Sequence, residues 1–334
     1  MNVKERIEPS PGDRVLWIRF VAFGDVLQSV ADAYNFKKRF PEVHLTFLTY
    51  PEYAELIRDQ PYIDDVFSGR KKPITKWWQT ARNIRAGHYK WLVNDHLGGK
   101  STLLTFFSRA KHRIGSCNLP FLKHVYHISL DLWSKHCGIN MKKRSCPLIF
   151  ASGEDMKDAL ALLSHLPERR LFVVIGGAIV EKMWPTERWI EFLHLIAEKG
   201  WGVVLSGYGQ IEEAIGQQIE DALSSENVLN LIGKLNFGKV AAVVRRCTIT
   251  VGHDTGPLHL SALSGVPTLG LFNYPASGSA KDLLGISWFR ELRAGDYVNE
   301  KINPIKNLPA EPVIKAFDAF AEEFLPRAFE WRNG

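Results

Sequence analysis

Four stretches of this chain set chemistry-bearing residues just beyond runs of apolar and β-branched residues. The most informative is VGHDTGPLHLSALSGVPTLGLF at 251–272. Asp254 or Thr255 suits a helix cap, Gly256 allows close approach, Pro257 fits a first helical position, and Gly265 gives a clean stop. A helix start of this kind leaves backbone N–H groups unpaired at the positive end of the helix dipole, which suits a phosphate. Capping alone accounts for Asp254 or Thr255. It does not account for His259 one turn into the helix, or for Gly252 at the strand end.

Phe23, Gly24 and Asp25 follow an early strand-like run, and Asp25 either caps the next helix or serves as a general base. In GGAIVEKMWPTERW, at 176–189, Lys182 stands on a loop ahead of a helix for which Thr186 is a plausible cap. A lone loop lysine is usually solvated, but as a mobile point charge it also suits a diphosphate. In SGYGQIEE, at 206–213, Glu212 or Glu213 opens a helix and could accept hydrogen bonds from ribose hydroxyls, although first-turn acids are common without a ligand. No GxGxxG follows the first strand and no Walker A sequence is present, which argues against NAD and against a P-loop.

Residues of this kind must be carried on strand ends, and strand-like runs do alternate with helical patterns in both halves. Strands are expected at 14–19, 43–49, 65–67, 90–94 and 112–114, then at 172–175, 202–205, 228–230, 248–251 and 268–271. Helices are expected at 25–39 and 75–84, then at 186–199, 211–223, 238–245 and 257–263. The alternation predicts an α/β protein of two facing Rossmann-like domains, each built on a parallel sheet with right-handed crossovers. The domains are expected at 1–155 and 165–312, with a boundary near 147–167 where the pattern fades. A closing helix at 313–325 lies in a C-terminal segment, 313–334, expected to pack back across the domains. Ligands of open α/β sheets bind beyond the carboxyl ends of the strands, where all four stretches fall.

A chain of 334 residues exceeds one typical core, and its 46% hydrophobic and 23% charged content is ordinary for a folded, water-soluble protein. The four cysteines show no CxxC or zinc-finger spacing, and no apolar run is long enough to span a membrane. A reduced, cytoplasmic protein without a structural metal is the expectation. The net charge of +6 is uneven: residues 1–150 hold 24 Lys+Arg against 13 Asp+Glu, a balance of +11, and the remainder 18 against 23, a balance of −5. Basic residues gather at Arg70, Lys71, Lys72, Lys76, Arg82 and Arg85, and at Lys100, Arg109, Lys111 and Arg113. Such clusters attract nucleic acid, an anionic membrane surface or a phosphorylated substrate, and Trp77 and Trp78 beside the first suit an interfacial position.

FGDVL around Asp25, NDHLGGKS at 94–101, EKMWPTERW around Lys182 and DTGPLHLSAL from Asp254, in this order and spacing, resemble glycosyltransferase family 9, the family of the lipopolysaccharide heptosyltransferases. The resemblance runs from about residue 14 to 272. It implies the GT-B architecture and inverting transfer of a heptose from a nucleotide sugar, with no metal or other cofactor. By this resemblance Asp25 would be the general base and Lys182 would neutralise the leaving diphosphate. Asp254 would contact the donor sugar, Thr255 and Gly256 would present backbone N–H groups to phosphate, and His259 would lie nearby. Glu212 is the candidate for the ribose and Leu235 for backbone contact with the base. Gly177 and Ala178 stand where family members carry threonines, and offer the diphosphate no hydroxyl.

In that family the N-terminal half binds the acceptor. Gly24, Arg70, Lys71, Lys100 and Arg113 are the candidates here, facing an anionic glycolipid of the lipid A–Kdo type. The implied donor is ADP-heptose and the implied setting is peripheral, at the cytoplasmic face of the inner membrane. Alternatives are a family 9 transferase with another donor or acceptor, a GT-B nucleotide-sugar epimerase, or a non-catalytic polyanion-binding module. Nucleic acid is not an expected partner, since no nucleic-acid motif accompanies the charge.

Overall fold

Short runs of Val, Ile, Leu and Phe bounded by charged or turn residues are what a parallel sheet with both faces covered requires. RVLWI and RLFVV are runs of this kind, buried at every position after the first. In the computed structural model, which describes residues 7–141, 148–177, 180, 183–223, 225–276 and 278–328, such runs form two all-parallel sheets. The chain divides into two compact units, residues 1–143 and 144–334.

The first unit runs β1 (Arg14–Ile18), α1 (Phe23–Arg39), β2 (His44–Thr49), α2 (Pro51–Arg58), β3 (Asp65–Ser68), α3 (Ile74–Ala86), β4 (Trp91–Asn94), α4 (Gly99–Phe107), β5 (His112–Gly115) and α5 (Leu130–His136). Its strand order is β3-β2-β1-β4-β5, so the crossovers reverse between β1 and β4. Leu16, Ile18, Leu48 and Leu92 from the strands meet Trp77, Ile84 and Leu104 from α3 and α4 in its core.

The second unit runs α6 (Gly153–Leu162), β6 (Arg170–Val174), α7 (Thr186–Glu198), β7 (Gly202–Ser206), α8 (Gln210–Ala222), β8 (Val228–Asn230), α9 (Phe237–Arg245), β9 (Ile249–His253), α10 (Gly256–Leu263), β10 (Thr268–Phe272), β11 (Phe289–Arg293) and α11 (Ala310–Ala328). Its order, β11-β10-β9-β6-β7-β8, reverses between β6 and β9. Helix α11 packs on α7, where the Phe317 ring meets Phe192 and Trp201 and Asp318 pairs with Lys199 at 2.6 Å.

Every strand expected from the sequence is present within two residues at each end, and β11 is an addition. The stretch 147–167, read as a fading boundary, instead holds α6, which belongs to the second unit and packs on α9. Ser152 starts this helix by accepting the Asp155 N–H on its hydroxyl at 3.1 Å. Helices α2, α4 and α5 are further additions.

Candidate active site

At the reversal point of the second sheet the loops leaving β6 and β9 converge. Gly252 stands opposite Val174 in the ladder, and a Cβ there would lie 2.6 Å from the Val174 carbonyl oxygen. Glycine is therefore required for the two strands to pair this closely. The approach continues beyond the strands: a Cβ on Gly177 would lie 3.6 Å from Thr255 Cγ2.

Neither residue expected to cap α10 does so. Thr255 occupies the cap position without a side-chain cap bond, and its hydroxyl lies 3.4 Å from the His253 carbonyl oxygen. The Asp254 carboxylate lies 3.0 Å from Nε2 of His259, whose side chain is buried while that of Asp254 is 42% exposed. An imidazole rooted in the helix thus holds the carboxylate beside an N-terminus that Thr255 and Gly256 open with backbone alone. Side-chain capping is therefore not what Asp254 and Thr255 do here.

Glu212, in the first turn of α8, ties together the loops after β6 and β7. Its carboxylate accepts the Gly177 N–H at 3.0 Å and the Tyr208 N–H, and burial pushes its pKa above the usual carboxylate value. A side chain at Gly176 would collide with this carboxylate. Leu235 lies apart, lining a cavity of about 250 Å³ with Asp155, Asp158 and Lys239. Lys182 and Ala178 lie outside the described residues.

His253 is a residue that the sequence reading passed over. It closes β9, fully buried, and its Nε2 accepts the Trp184 N–H at 2.9 Å. Burial holds its pKa down to about 4, so the ring is neutral at pH 7 and free to accept. Trp184 in turn donates its indole N–H to the Leu308 carbonyl at 2.8 Å, and Thr186 lies inside α7, not at its cap. The chain ahead of α7 is anchored at Trp184. A polar ring closing an otherwise apolar strand, next to Asp254, was the available signal.

The first sheet repeats the arrangement. Beyond β1 the chain passes Ala22, whose φ of +55° is costly for a residue with a Cβ, and enters α1 with no side-chain cap. Gly24 and Asp25 lie in the first turn. The Asp25 carboxylate, 31% exposed, pairs with Arg19 Nη2 at 3.2 Å instead of capping the helix. Arg19 also donates to the Asp95 carbonyl and lies 3.5 Å from the Asp95 carboxylate, so the guanidinium links the loops after β1 and β4. A carboxylate held from one side and open on the other is placed to take a proton.

Next to it, Lys71 donates to Nε2 of His96 at 2.9 Å, with its ammonium 5.3 Å from the centre of the Phe20 ring. Burial, then the nearby Lys100, Arg19 and Lys72, push the Lys71 pKa down to about 8. Burial, then the nearby Lys71 and Arg19, push His96 down to about 4, leaving it a neutral acceptor. Arg70, Lys71, Lys72 and Lys100 line one cavity of about 450 Å³ together with Gly98 and Gly99, where α4 begins without a side-chain cap. Four cations and a helix N-terminus make a receptor for an anion. Arg113 is not part of it; it lies on β5, paired with the His127 ring at 3.0 Å.

Sequence and fold both have relatives among known proteins. The model of glycosyltransferase family 9 (heptosyltransferase) matches residues 119–281, which include the loops after β6 and β9 and the whole of α10. Over these residues the chain is similar to glycosyltransferase family 9. The chain is also similar to lipopolysaccharide heptosyltransferase 1 of Pseudomonas aeruginosa, at 26% identity over 78% of each chain. Its fold matches a family 9 glycosyltransferase from Veillonella parvula with a TM-score of 0.82 and 20% identity, over 93% of this chain and 97% of that one. It also matches the E. coli ADP-heptose lps heptosyltransferase II with a TM-score of 0.76 and 17% identity, over 93% of this chain and 99% of that one. The fold shared with these structures is the GT-B architecture, two parallel α/β units.

Proposed function

We propose that this family 9 transferase moves a heptose from ADP-heptose to an anionic sugar of a lipopolysaccharide core, with inversion and without a metal. The observation that carries the reading is the pair of carboxylates held off their helix starts, Asp25 by Arg19 and Asp254 by His259. A residue present only to start a helix would be bonded to the helix N–H groups. The donor named for the E. coli relative and the acceptor class named for the Pseudomonas relative supply the substrates of the reading.

In this mechanism Asp25 accepts the proton of the acceptor hydroxyl as its oxygen forms the new bond to the anomeric carbon. The bond from that carbon to the phosphate oxygen breaks on the opposite face, and its electron pair leaves with ADP. The backbone at Thr255 and Gly256, with Lys182, stabilises the charge that develops on the diphosphate. Asp254, steadied by His259, accepts hydrogen bonds from the donor sugar, and Glu212 from the ribose. Arg70, Lys71 and Lys100 bind the acceptor's negative charge.

Asp25→Asn tests the central step. Transfer should fall by about 10²–10⁴-fold, the usual worth of a positioned general base, while ADP affinity stays unchanged. A variant with near-normal turnover removes Asp25 as the base.

A further inference from the structure

Exposed apolar residues of the first unit gather on one face. On α3, Ile74 and Trp78, one turn apart, are 62% and 46% exposed; on α4, Leu103 and Phe106 are 37% and 50% exposed. Helices α3 and α4 pack on each other, and the rings run on between them: Trp78 lies 5.4 Å from Phe107, and Phe107 lies 5.7 Å from Phe106. Phe121, 69% exposed, extends the face from a 3₁₀ turn, Pro120–Val125, that packs against α4. Trp77, buried beneath, donates its indole N–H to the Lys100 carbonyl at 3.1 Å and fixes the two helices to each other.

The charge around this face has one sign. Residues 66–130 hold twelve Lys and Arg, Arg70 through Lys123, and a single acid, Asp95, which Arg19 engages. Helices α3 and α4 contain no acid at all, whereas a helix face that merely meets water usually mixes both signs. Lys76, Arg82, Arg85, Arg109, Lys111 and Lys123 are all exposed. An apolar, aromatic patch among cations matches the interfacial zone of an anionic bilayer, where rings enter the headgroup layer and cations meet lipid phosphates. A second copy of the same face would bring cation against cation.

We propose that the α3–α4 face docks the protein on an anionic lipid bilayer, with Trp78, Phe106 and Ile74 inserted and Lys76, Arg82 and Arg85 on the headgroups. Lys100, in the first turn of α4, lines the anion cavity, so docking brings that cavity to the lipid surface. Docking does not depend on the proposed transfer chemistry, and the two are tested separately.

The test is vesicle flotation of the full chain, with phosphatidylcholine alone or with one third phosphatidylglycerol, at low and high salt. The wild type should float with the anionic vesicles only, and less at high salt. Trp78→Ser combined with Phe106→Ser, and separately Lys76→Glu combined with Arg82→Glu, should each weaken partition by about tenfold or more. The second pair alters exposed charges only, which guards against an aromatic variant that fails to fold. Transfer to a deacylated, water-soluble acceptor should be unchanged in both variants. Equal binding of variants and wild type, or binding independent of lipid charge, overturns the proposal. So does a chain that binds RNA or dimerises through this face but does not float.

Discussion

Gly252→Ala places a methyl group where β9 and β6 pair. The new Cβ would lie 2.6 Å from the Val174 carbonyl oxygen and 2.9 Å from its Cα, where ordinary contact is 3.4–4 Å. The strands must part by at least the difference, 3.4 − 2.6, or about 0.8 Å. The nearest obstacle of all is the Val174 Cβ, which is fixed to the same backbone, so no side chain can swing away. Overpacking of this kind costs about 1–3 kcal/mol, and a unit of this size loses about 2–4 °C of melting temperature per kcal/mol, so a fall of roughly 2–12 °C is expected. Asp254 and Thr255 follow directly on β9, so the displacement reaches the proposed donor cradle. A misplacement near 1 Å can reduce turnover by about 10²-fold. Thermal melts, ADP titration and turnover measure these effects. Gly153→Ala is the control, since nothing lies within 4 Å of its Cβ and it opens a helix. A Gly252→Ala protein that melts with the wild type and binds ADP within twofold of it would refute the reasoning.

Two pH responses follow from buried bases. His253 has a folded pKa of about 4 against an ordinary 6.5, so the unfolded chain takes up its proton first as pH falls. Its contribution is complete above pH 6.5 and is lost between 6.5 and 4; for a fully buried ring this amounts to about 3 kcal/mol. His253→Gln should flatten that part of the stability profile in denaturant melts at stepped pH, and an unchanged slope would count against it. Lys71 keeps its charge only below about pH 8, so the KM for an anionic acceptor should rise above that pH. Lys71→Met should show a high, flat KM across the same range, and an alkaline rise that persists in the variant removes Lys71 from acceptor binding.

The strands were legible because buried parallel strands are continuous apolar runs between turn residues, and those runs need no tertiary context. Strand β11 was not, because FRELR is an edge strand with two arginines and a glutamate, buried mainly at Phe289 and Leu292. Helix α4, GKSTLLTFF, is rich in threonine and phenylalanine that favour strands, and only its packing on α3 and β4 makes it a helix. Helix α6 buries little beyond Ala159, so no strong apolar stripe marks it. In the sites, Asp25 and Asp254 could be found from their position after strands, but what holds Asp25 could not. Arg19 reads as the last residue of a strand, and its pairing with Asp25 depends on the bend at Ala22. The anion cavity joins the loops after β3 and β4, and no local pattern links Lys71 to His96.

The seat of the Glu212 carboxylate against Gly176 also constrains how this protein can diverge. The carboxylate occupies the volume that any side chain at position 176 would need, while the N–H groups of Gly177 and Tyr208 fix it there. A lineage that gains even an alanine at 176 must swing the acid at 212 off the Gly177 and Tyr208 N–H groups, shorten it or lose it, and one that loses the acid is released to fill 176. The two positions, far apart in the chain, are therefore coupled, and a relative with serine at 176 and glutamate at 212 must hold that carboxylate elsewhere or have rebuilt the loop between β6 and α7.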